Sequence, residues 1–410
     1  MKNSLSEVID MERLAKRIRT IAPSQTLAIS AKAKAMKAAG ESVVNFGVGE
    51  PDFPTPEYIV DAAVKALREG KTKYTPSAGL PELRRAVCEK FRRDNGLDYE
   101  PSQVIVSNGA KHSIFNVCYA LVDEGDEVII PVPYWLTYPE VVKTCGGVPV
   151  YVEGAKENAF KITPEQLEAA ITPKTKLLIF NSPCNPTGAV YSEAEVRALA
   201  AVCEKHEIFV LSDEIYEKLV YGKTKPFSMA AVSDKMKELT ITVNGVSKTF
   251  AMTGWRIGYL AAPKNIAKAI DSFQSHATSN ACSVSQYATL EALSSPVSDE
   301  KIEKMTAIFA ERRHAAVERI AKMKDVYCIV PEGAFYIMLV VSGVYGKAYE
   351  GRAISDSVSF ADTLLDAAKV AVVPGAPFGA DDCVRLSYSL SMEDMLEGLD
   401  RIAAFIEKLN

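Results

Sequence analysis

No run of about 18 apolar residues, the length a spanning helix needs, occurs in this 410-residue chain, so a membrane span is not expected. The start, Met1-Lys2-Asn3, leads into the charged stretch Ser6–Arg19 without an apolar leader core, which predicts no secretory signal. Basic excess is missing too: 47 Lys and Arg against 52 Asp and Glu leave a net charge of −5. With no net positive field, neither nucleic acid nor an anionic membrane surface is an expected partner. Histidine is scarce; His112, His206, His276 and His314 lie far apart and in no zinc-ligand spacing. The eight cysteines contain no C-x-x-C pair. Together these absences predict no metal site, and reduced thiols in the cytoplasm rather than disulfides. Internal repeats and low-complexity tracts are also lacking. So is a dinucleotide fingerprint: after Gly47-Val48-Gly49, Pro51 and Phe53-Pro54 follow where a third glycine and a helix start belong. That counts against a nicotinamide oxidoreductase, which strand–helix alternation alone would allow.

The rest is an ordinary globular composition, 48% hydrophobic and 24% charged, long enough for two or three domains. Residues 1–42 read as a helical arm in which Gln25–Ala39 stops at Gly40. No stretch before residue 43 is long enough for a DNA-binding module. Val43–Phe46 is a short strand, followed by helices over Glu57–Glu69 and Pro81–Asn95, the second with proline in its first turn and Gly96 past its end. Strand–loop–helix units follow, with strands over Val104–Val106, Glu127–Pro131, Val148–Val152, Lys176–Phe180, Ile208–Leu211, Leu239–Val243 and Ile257–Ala261. Between them, Ser192 and Glu195 make a capping box that starts a helix to His206. The alternation predicts an α/β fold with a mostly parallel sheet covered on both faces. Residues 263–300 read as helical. A smaller unit starts near 301 with a helix over Lys301–Met323. Strands follow in Val326–Val330, Gly333–Ile337, Val370–Gly375 and Val384–Ser387, then a closing helix Met392–Leu409.

Ligands in such folds bind at the carboxyl ends of the strands. Ser107–Lys111 opens a helix with small residues, a natural phosphate seat at a positive helix terminus. Tyr134 and Trp135 offer flat faces, Asn185 an amide on the rigid loop Asn181–Gly188, and Asp213, Glu214 and Tyr216 a carboxylate and a phenol. Lys248 stands just past Asn244-Gly245, and Arg256 follows eight residues later. A lysine at the mouth of a buried strand can lose solvent and act as an amine nucleophile, and arginine offers a phosphate a fixed fork. The pair suggests a lysine holding a phosphorylated aldehyde as a Schiff base. Each residue alone has a plainer use: lysines are mostly solvated, Gly109 can end a strand, Trp135 can fill core and Asn185-Pro186 can make a turn. Arg385, inside the apolar strand VRLSYS, needs an anion, either a buried structural acid or a ligand carboxylate.

These residues resemble the class I aminotransferases of fold type I, which use pyridoxal 5′-phosphate, and within them the bacterial aspartate and prephenate branch. The likeness runs through GVGEPDFPTP, KYTPSAGLPELR, PYW, NSPCNPTGAVY, SDEIYEKLVY, VNGVSKTFAMTGWRIGY, PEGAFY, VVPGAPFG and VRLSYS. One departure is Cys184, where relatives usually carry a second asparagine before Asn185. The resemblance implies a large cofactor domain (46–300) with a mostly parallel seven-stranded sheet, a smaller α+β domain (301–410), and an arm (1–45) shared with the latter. It implies that Lys248 carries the cofactor covalently and Asp213 pairs with its pyridine nitrogen. Tyr216 and Asn185 would bond the ring 3′-oxygen, and Trp135 would stack on the ring. The phosphate would meet the helix start at Gly109, Ala110 and Lys111, with Arg256, Ser247, and Tyr74 from the other subunit of a homodimer that shares its sites. Arg385 would bind the substrate α-carboxylate with Gly49 and Asn185, and Lys111 a distal carboxylate. The implied substrates are a dicarboxylic amino acid and a 2-oxo acid such as aspartate and 2-oxoglutarate. Prephenate, an aromatic amino acid, or another reaction of the same cofactor stay open.

Overall fold

At the centre of the protein, a computed structural model describing residues 14–19, 21 and 25–410, lies a seven-stranded sheet. The charged start up to residue 13 falls outside the described residues; helices cover Lys16–Arg19 and Gln25–Ala38. The chain passes through a short strand β1 (Val44–Asn45) before reaching the sheet strands. These are β2 (Val104–Ser107), β3 (Glu127–Val132), β4 (Val148–Glu153), β5 (Thr175–Asn181), β6 (Phe209–Asp213), β7 (Thr240–Gly245) and β8 (Gly258–Ala261). All seven expected strands are present, each within two residues of its expected ends.

Their order is β2-β8-β7-β6-β5-β3-β4. Pairing is parallel from β7 through β4, whereas β8 runs antiparallel to both β2 and β7. The inner strands are apolar on both faces because both faces are covered, whereas β4, at the sheet edge, is largely exposed. On one side Val128, Ile130, Leu177 and Ile179 pack with Ile114 and Val117 of helix Ala110–Leu121 and Ile270 of helix Lys264–Ala277. On the other, Ile129, Leu178 and Phe180 meet Val196 and Leu199 of helix Glu193–His206. The alternation along β3 and β5 is the period of a strand. Sequence signals set the helix ends. Pro81 sits in the first turn of helix Pro81–Asn95, and Gly96 closes it with φ +66°. Ser192 and Glu195 form the expected capping box.

A second core holds the chain's end together with its beginning. Val44 and Phe46 pack among Phe309, Phe335, Leu399 and Ile402. Here β9 (Tyr327–Cys328) and β10 (Tyr336–Val340) precede the hairpin β11 (Ala348–Tyr349) and β12 (Arg352–Ala353). The last strands are β13 (Val370–Ala371), β14 (Val373–Pro374) and β15 (Cys383–Ser387). The antiparallel order is β14-β15-β10-β9, and β13 pairs in parallel with β1. The strand expected over Gly333–Ile337 starts only at Tyr336, because Ala334 turns with φ +55°. The run Val370–Gly375 divides between two sheets. Its two halves serve different neighbours.

The loop Gly47–Phe53 is tied to this second core. Arg312 donates two hydrogen bonds to Asp52, at 2.7 and 2.8 Å, from between Phe53 and Phe309. Ser389 accepts from the Asp52 amide at 3.0 Å and donates to the Glu50 carbonyl at 2.7 Å. Removing one partner of a buried bidentate pair strands the other. Asp52 keeps 28% of its side chain exposed, which lessens the cost. Arg312→Met should therefore lower unfolding stability by about 2–3 kcal/mol, under the full penalty of a wholly buried pair. Urea denaturation would read this, and an unchanged midpoint would mean the clamp carries no load.

Candidate active site

Along the carboxyl edge of the sheet β2, β3, β5, β6 and β7 stop, while β8, running the other way, begins. Register aligns these points: Gly258 lies opposite both Ser107 and Gly245, and Asp213 lies opposite both Asn181 and Val243. The reversal of β8 puts Arg256, which precedes its strand, level with groups that follow theirs.

Lys248, just beyond β7, donates from Nζ to the Gly49 carbonyl at 2.5 Å. Its ammonium lies 5.8 and 5.7 Å from the ring centres of Tyr216 and Phe335. Burial pushes its pKa down to about 8; Glu50 opposes the shift, and the charges of Arg385 and Arg256 add to it. Asp213 ends β6 in full burial. Its Oδ2 accepts from the Tyr138 hydroxyl at 2.8 Å and its Oδ1 from the Ile215 amide at 3.2 Å. Burial raises this carboxyl to about 6, with both hydrogen bonds pulling the other way. The Tyr216 hydroxyl shares a 2.9 Å hydrogen bond with that of Tyr336.

Gly109 precedes helix Ala110–Leu121 with φ +86°, a conformation that favours glycine. A Cβ there would run into the Arg256 guanidinium, and one at Gly258 would strike the Gly109–Ala110 backbone. Two glycines thus let the arginine and the helix start close on one another. Arg256 is braced by the Thr253 carbonyl at 2.8 Å and the Asn108 carbonyl at 3.4 Å. No side chain caps the helix, so its first amides open beside a cation. That is a seat for a dianion. Ser247 is buried directly before Lys248. Lys111, in the first helical turn, lies 4.8 Å over the Trp135 ring. Trp135 in turn meets Tyr138 edge-on at 5.5 Å.

Arg385 is 2% exposed in β15 and stacks 4.5 Å from Tyr336 and 5.1 Å from Phe378. It donates to Asn185 Oδ1 at 3.0 Å and to the Gly47 carbonyl at 3.2 Å. Among the described residues both its hydrogen-bond partners are neutral, and its Nε has none. The structural acid that the sequence left open is not among those partners. A buried guanidinium with spare donors suits an incoming anion.

The structure therefore gathers Gly49, Gly109, Ala110, Lys111, Trp135, Asn185, Asp213, Tyr216, Ser247, Lys248, Arg256 and Arg385 around one sheet edge. Tyr74 stands apart, 91% exposed on a loop beside 278–283. Tyr138, Tyr336 and Phe378 were not singled out by sequence reasoning. Spacing does not mark Tyr138 either, because Trp135 precedes helix Thr137–Thr144 and the two do not form a helix-face pair. With the amine near pKa 8, Lys248 in protein stripped of small molecules should react with an amine-selective label with a midpoint near pH 8. Competitive labelling with mass spectrometry checks this; a midpoint at the ordinary lysine value of 10.5 would contradict the burial.

Comparison with known proteins agrees with this geometry. The profile described as aminotransferase class I and II matches residues 41–402. An aspartate aminotransferase from Geobacillus stearothermophilus is 51% identical over 398 residues, covering 96% of this chain and 99% of the relative. A probable aspartate/prephenate aminotransferase from Aquifex aeolicus is 48% identical, covering 97% and 99%. Among solved structures, the aspartate aminotransferase of Thermus thermophilus with maleate superposes with a TM-score of 0.91 at 44% identity, covering 96% and 99%. On a match of this extent, and on a site built to suit it, the chain belongs to the class I and II aminotransferase family.

Proposed function

We propose that this aminotransferase uses pyridoxal 5′-phosphate to move amino groups between a dicarboxylic amino acid, aspartate or glutamate, and a 2-oxo acid, 2-oxoglutarate or oxaloacetate. The observation that carries the reading is a half-buried, largely desolvated lysine amine at the same sheet edge as a buried carboxylate and an uncapped helix start beside Arg256. The residues fit the cofactor. The amides of Ala110 and Lys111, with Arg256 and Ser247, would hold its phosphate. Trp135 would cover its ring, Asp213 would pair with the pyridine nitrogen, and Tyr216 and Asn185 would bond the ring oxygen. When bound, the cofactor supplies a carbonyl that captures the substrate amine and a ring that draws electrons from the Cα–H bond.

The chain's own groups do the rest. Lys248, whose burial leaves a usable share of free amine at neutral pH, would take the proton from the substrate Cα and return it two atoms along, at the cofactor's C4′. Asp213 is ionised above about pH 6, so support for a protonated ring nitrogen fails as pH falls through that value. Arg385 receives the α-carboxylate with help from Asn185 and the Gly49 backbone. Lys111 and Arg385 form two cations at a set separation, which favours a substrate with two carboxylates. Maleate, bound in the Thermus thermophilus relative, is such a dianion. Prephenate, also a dicarboxylate, is the second reading, favoured by the name of the Aquifex aeolicus relative. The exposure of Tyr74 suits a ring offered to the partner's phosphate in a cytoplasmic homodimer. In this reading 46–300 is the large cofactor-binding domain, 301–410 is the small domain, and 1–45 is an arm that joins the small domain.

Lys248→Ala should lower kcat for transamination by about 10⁴-fold, in keeping with loss of the central acid–base group. Wild-type turnover in that variant would sink the proposal. Lys111→Ala should raise KM for aspartate about tenfold while sparing alanine. Initial rates with a panel of amino donors and 2-oxoglutarate read this, and equal effects on both donors would remove Lys111 from the distal role.

A further inference from the structure

We infer that Tyr138 is a positioning residue that keeps the Asp213 carboxylate charged and aimed at the cofactor ring, an inference that rests on the proposed function. Tyr138 lies in the first turn of helix Thr137–Thr144, directly after the segment that carries Trp135. Its hydroxyl gives Asp213 Oδ2 a 2.8 Å hydrogen bond in full burial. Its ring meets the Trp135 ring edge-on at 5.5 Å and 88°. One side chain therefore touches both the ring-covering indole and the ring-pairing carboxylate, and fixes their relative placement.

The surroundings of Asp213 leave this hydroxyl the principal side-chain support. The groups that face the carboxyl are Tyr138 from its helix, Cys184 from the Asn181–Gly188 loop, Tyr216 from its own turn and Lys248 from beyond β7. Glu214, next in the chain, is engaged elsewhere: it accepts from Ser212 at 2.8 Å and Ser228 at 2.7 Å. The Lys248 amine is bonded to the Gly49 carbonyl, and covalent attachment of the cofactor would remove its free cation. Among the described residues that leaves Tyr138 Oη–H and the Ile215 amide as the donors to the carboxylate. Tyr138 cannot lose its proton in the working range, because burial and the neighbouring Asp213 push its pKa far up. It is a permanent donor. A donor to a carboxylate favours the charged form.

Tyr138→Phe keeps the ring, and with it the packing on Trp135, and removes only the hydroxyl. In the holoenzyme we expect a dissociation constant for pyridoxal 5′-phosphate about tenfold higher, as for a lost charge-assisted hydrogen bond. The acid limb of kcat/KM should move up by about one pH unit, the same factor expressed as a proton affinity. The loss should shrink as pH rises, which a packing defect would not produce. The decisive comparison is a double-mutant cycle with Asp213→Asn, read as cofactor affinity by equilibrium dialysis. If Tyr138 acts through Asp213, Tyr138→Phe costs little further affinity once Asp213 is Asn. An equal cost in both backgrounds, or no cost and no shift of the acid limb in the single variant, overturns the inference. If instead the wild type fails to bind the cofactor, or Asp213→Asn leaves affinity unchanged, the proposed function itself falls.

Discussion

A half-buried lysine ammonium whose hydrogen bond goes to a neutral carbonyl governs the arrangement of everything near it. The Lys248–Gly49 contact, at 2.5 Å, pays for only part of the lost hydration, and burial holds the amine near pKa 8. Enclosing a charge costs several kcal/mol even after relaxation. Each fully buried Leu or Ile contributes roughly 1.5–3 kcal/mol, so a handful of core residues outweighs that cost. The two faces of the sheet bury far more than a handful. Stability is thus available to be spent on a reactive amine. The condition is that Gly49 stays in place, and three ties provide for this: Arg312 on Asp52, Ser389 on Glu50 and Asp52, and Arg385 on the Gly47 carbonyl.

The anion seat follows from topology more than from any single side chain. Were β8 parallel to its neighbours, Arg256 would sit at the far edge of the sheet. Reversal brings it against the start of helix Ala110–Leu121, and Gly109 and Gly258 supply the missing Cβ atoms that let the two touch. Lys248 and Arg256 belong to one short segment, Thr240–Tyr259, which leaves the edge after β7 and comes back to it at β8. The proposed catalytic amine and the proposed phosphate fork are therefore delivered by one excursion of the chain.

Much of this was legible in the sequence, for physical reasons that differ by element. The inner strands announced themselves because both their faces are buried, which makes their centres apolar; β4, at the sheet edge, is largely exposed and was marked by its alternating valines. The helix ends at Pro81, Gly96 and Ser192 were legible because capping is local chemistry. Lys248, Asp213, Asn185 and Arg256 could be nominated because ligands collect at strand ends. The direction of β8 was not legible, since an apolar run carries no polarity along the chain. The partners of Arg385 were equally hidden: Asn185 and Gly47 lie 200 and 338 residues away in sequence. Tyr138 looked like any core aromatic at a helix start, and only the fold brings its hydroxyl to Asp213, 75 residues on. The short strands β11 and β12 escape periodicity because two residues cannot show a period, whereas β9 lies inside the strand expected over Val326–Val330. Ala334, turning at φ +55°, delayed β10 where composition alone suggested a strand.

The central claim is that the Lys248 amine is the point where the vitamin B6 aldehyde joins the chain. Borohydride reduction of the holoenzyme, followed by proteolysis and peptide mapping, tests it most directly. The account predicts a single reduced adduct on the peptide containing Val246-Ser247-Lys248. An adduct on another lysine, or no adduct in protein that holds the cofactor, would contradict it.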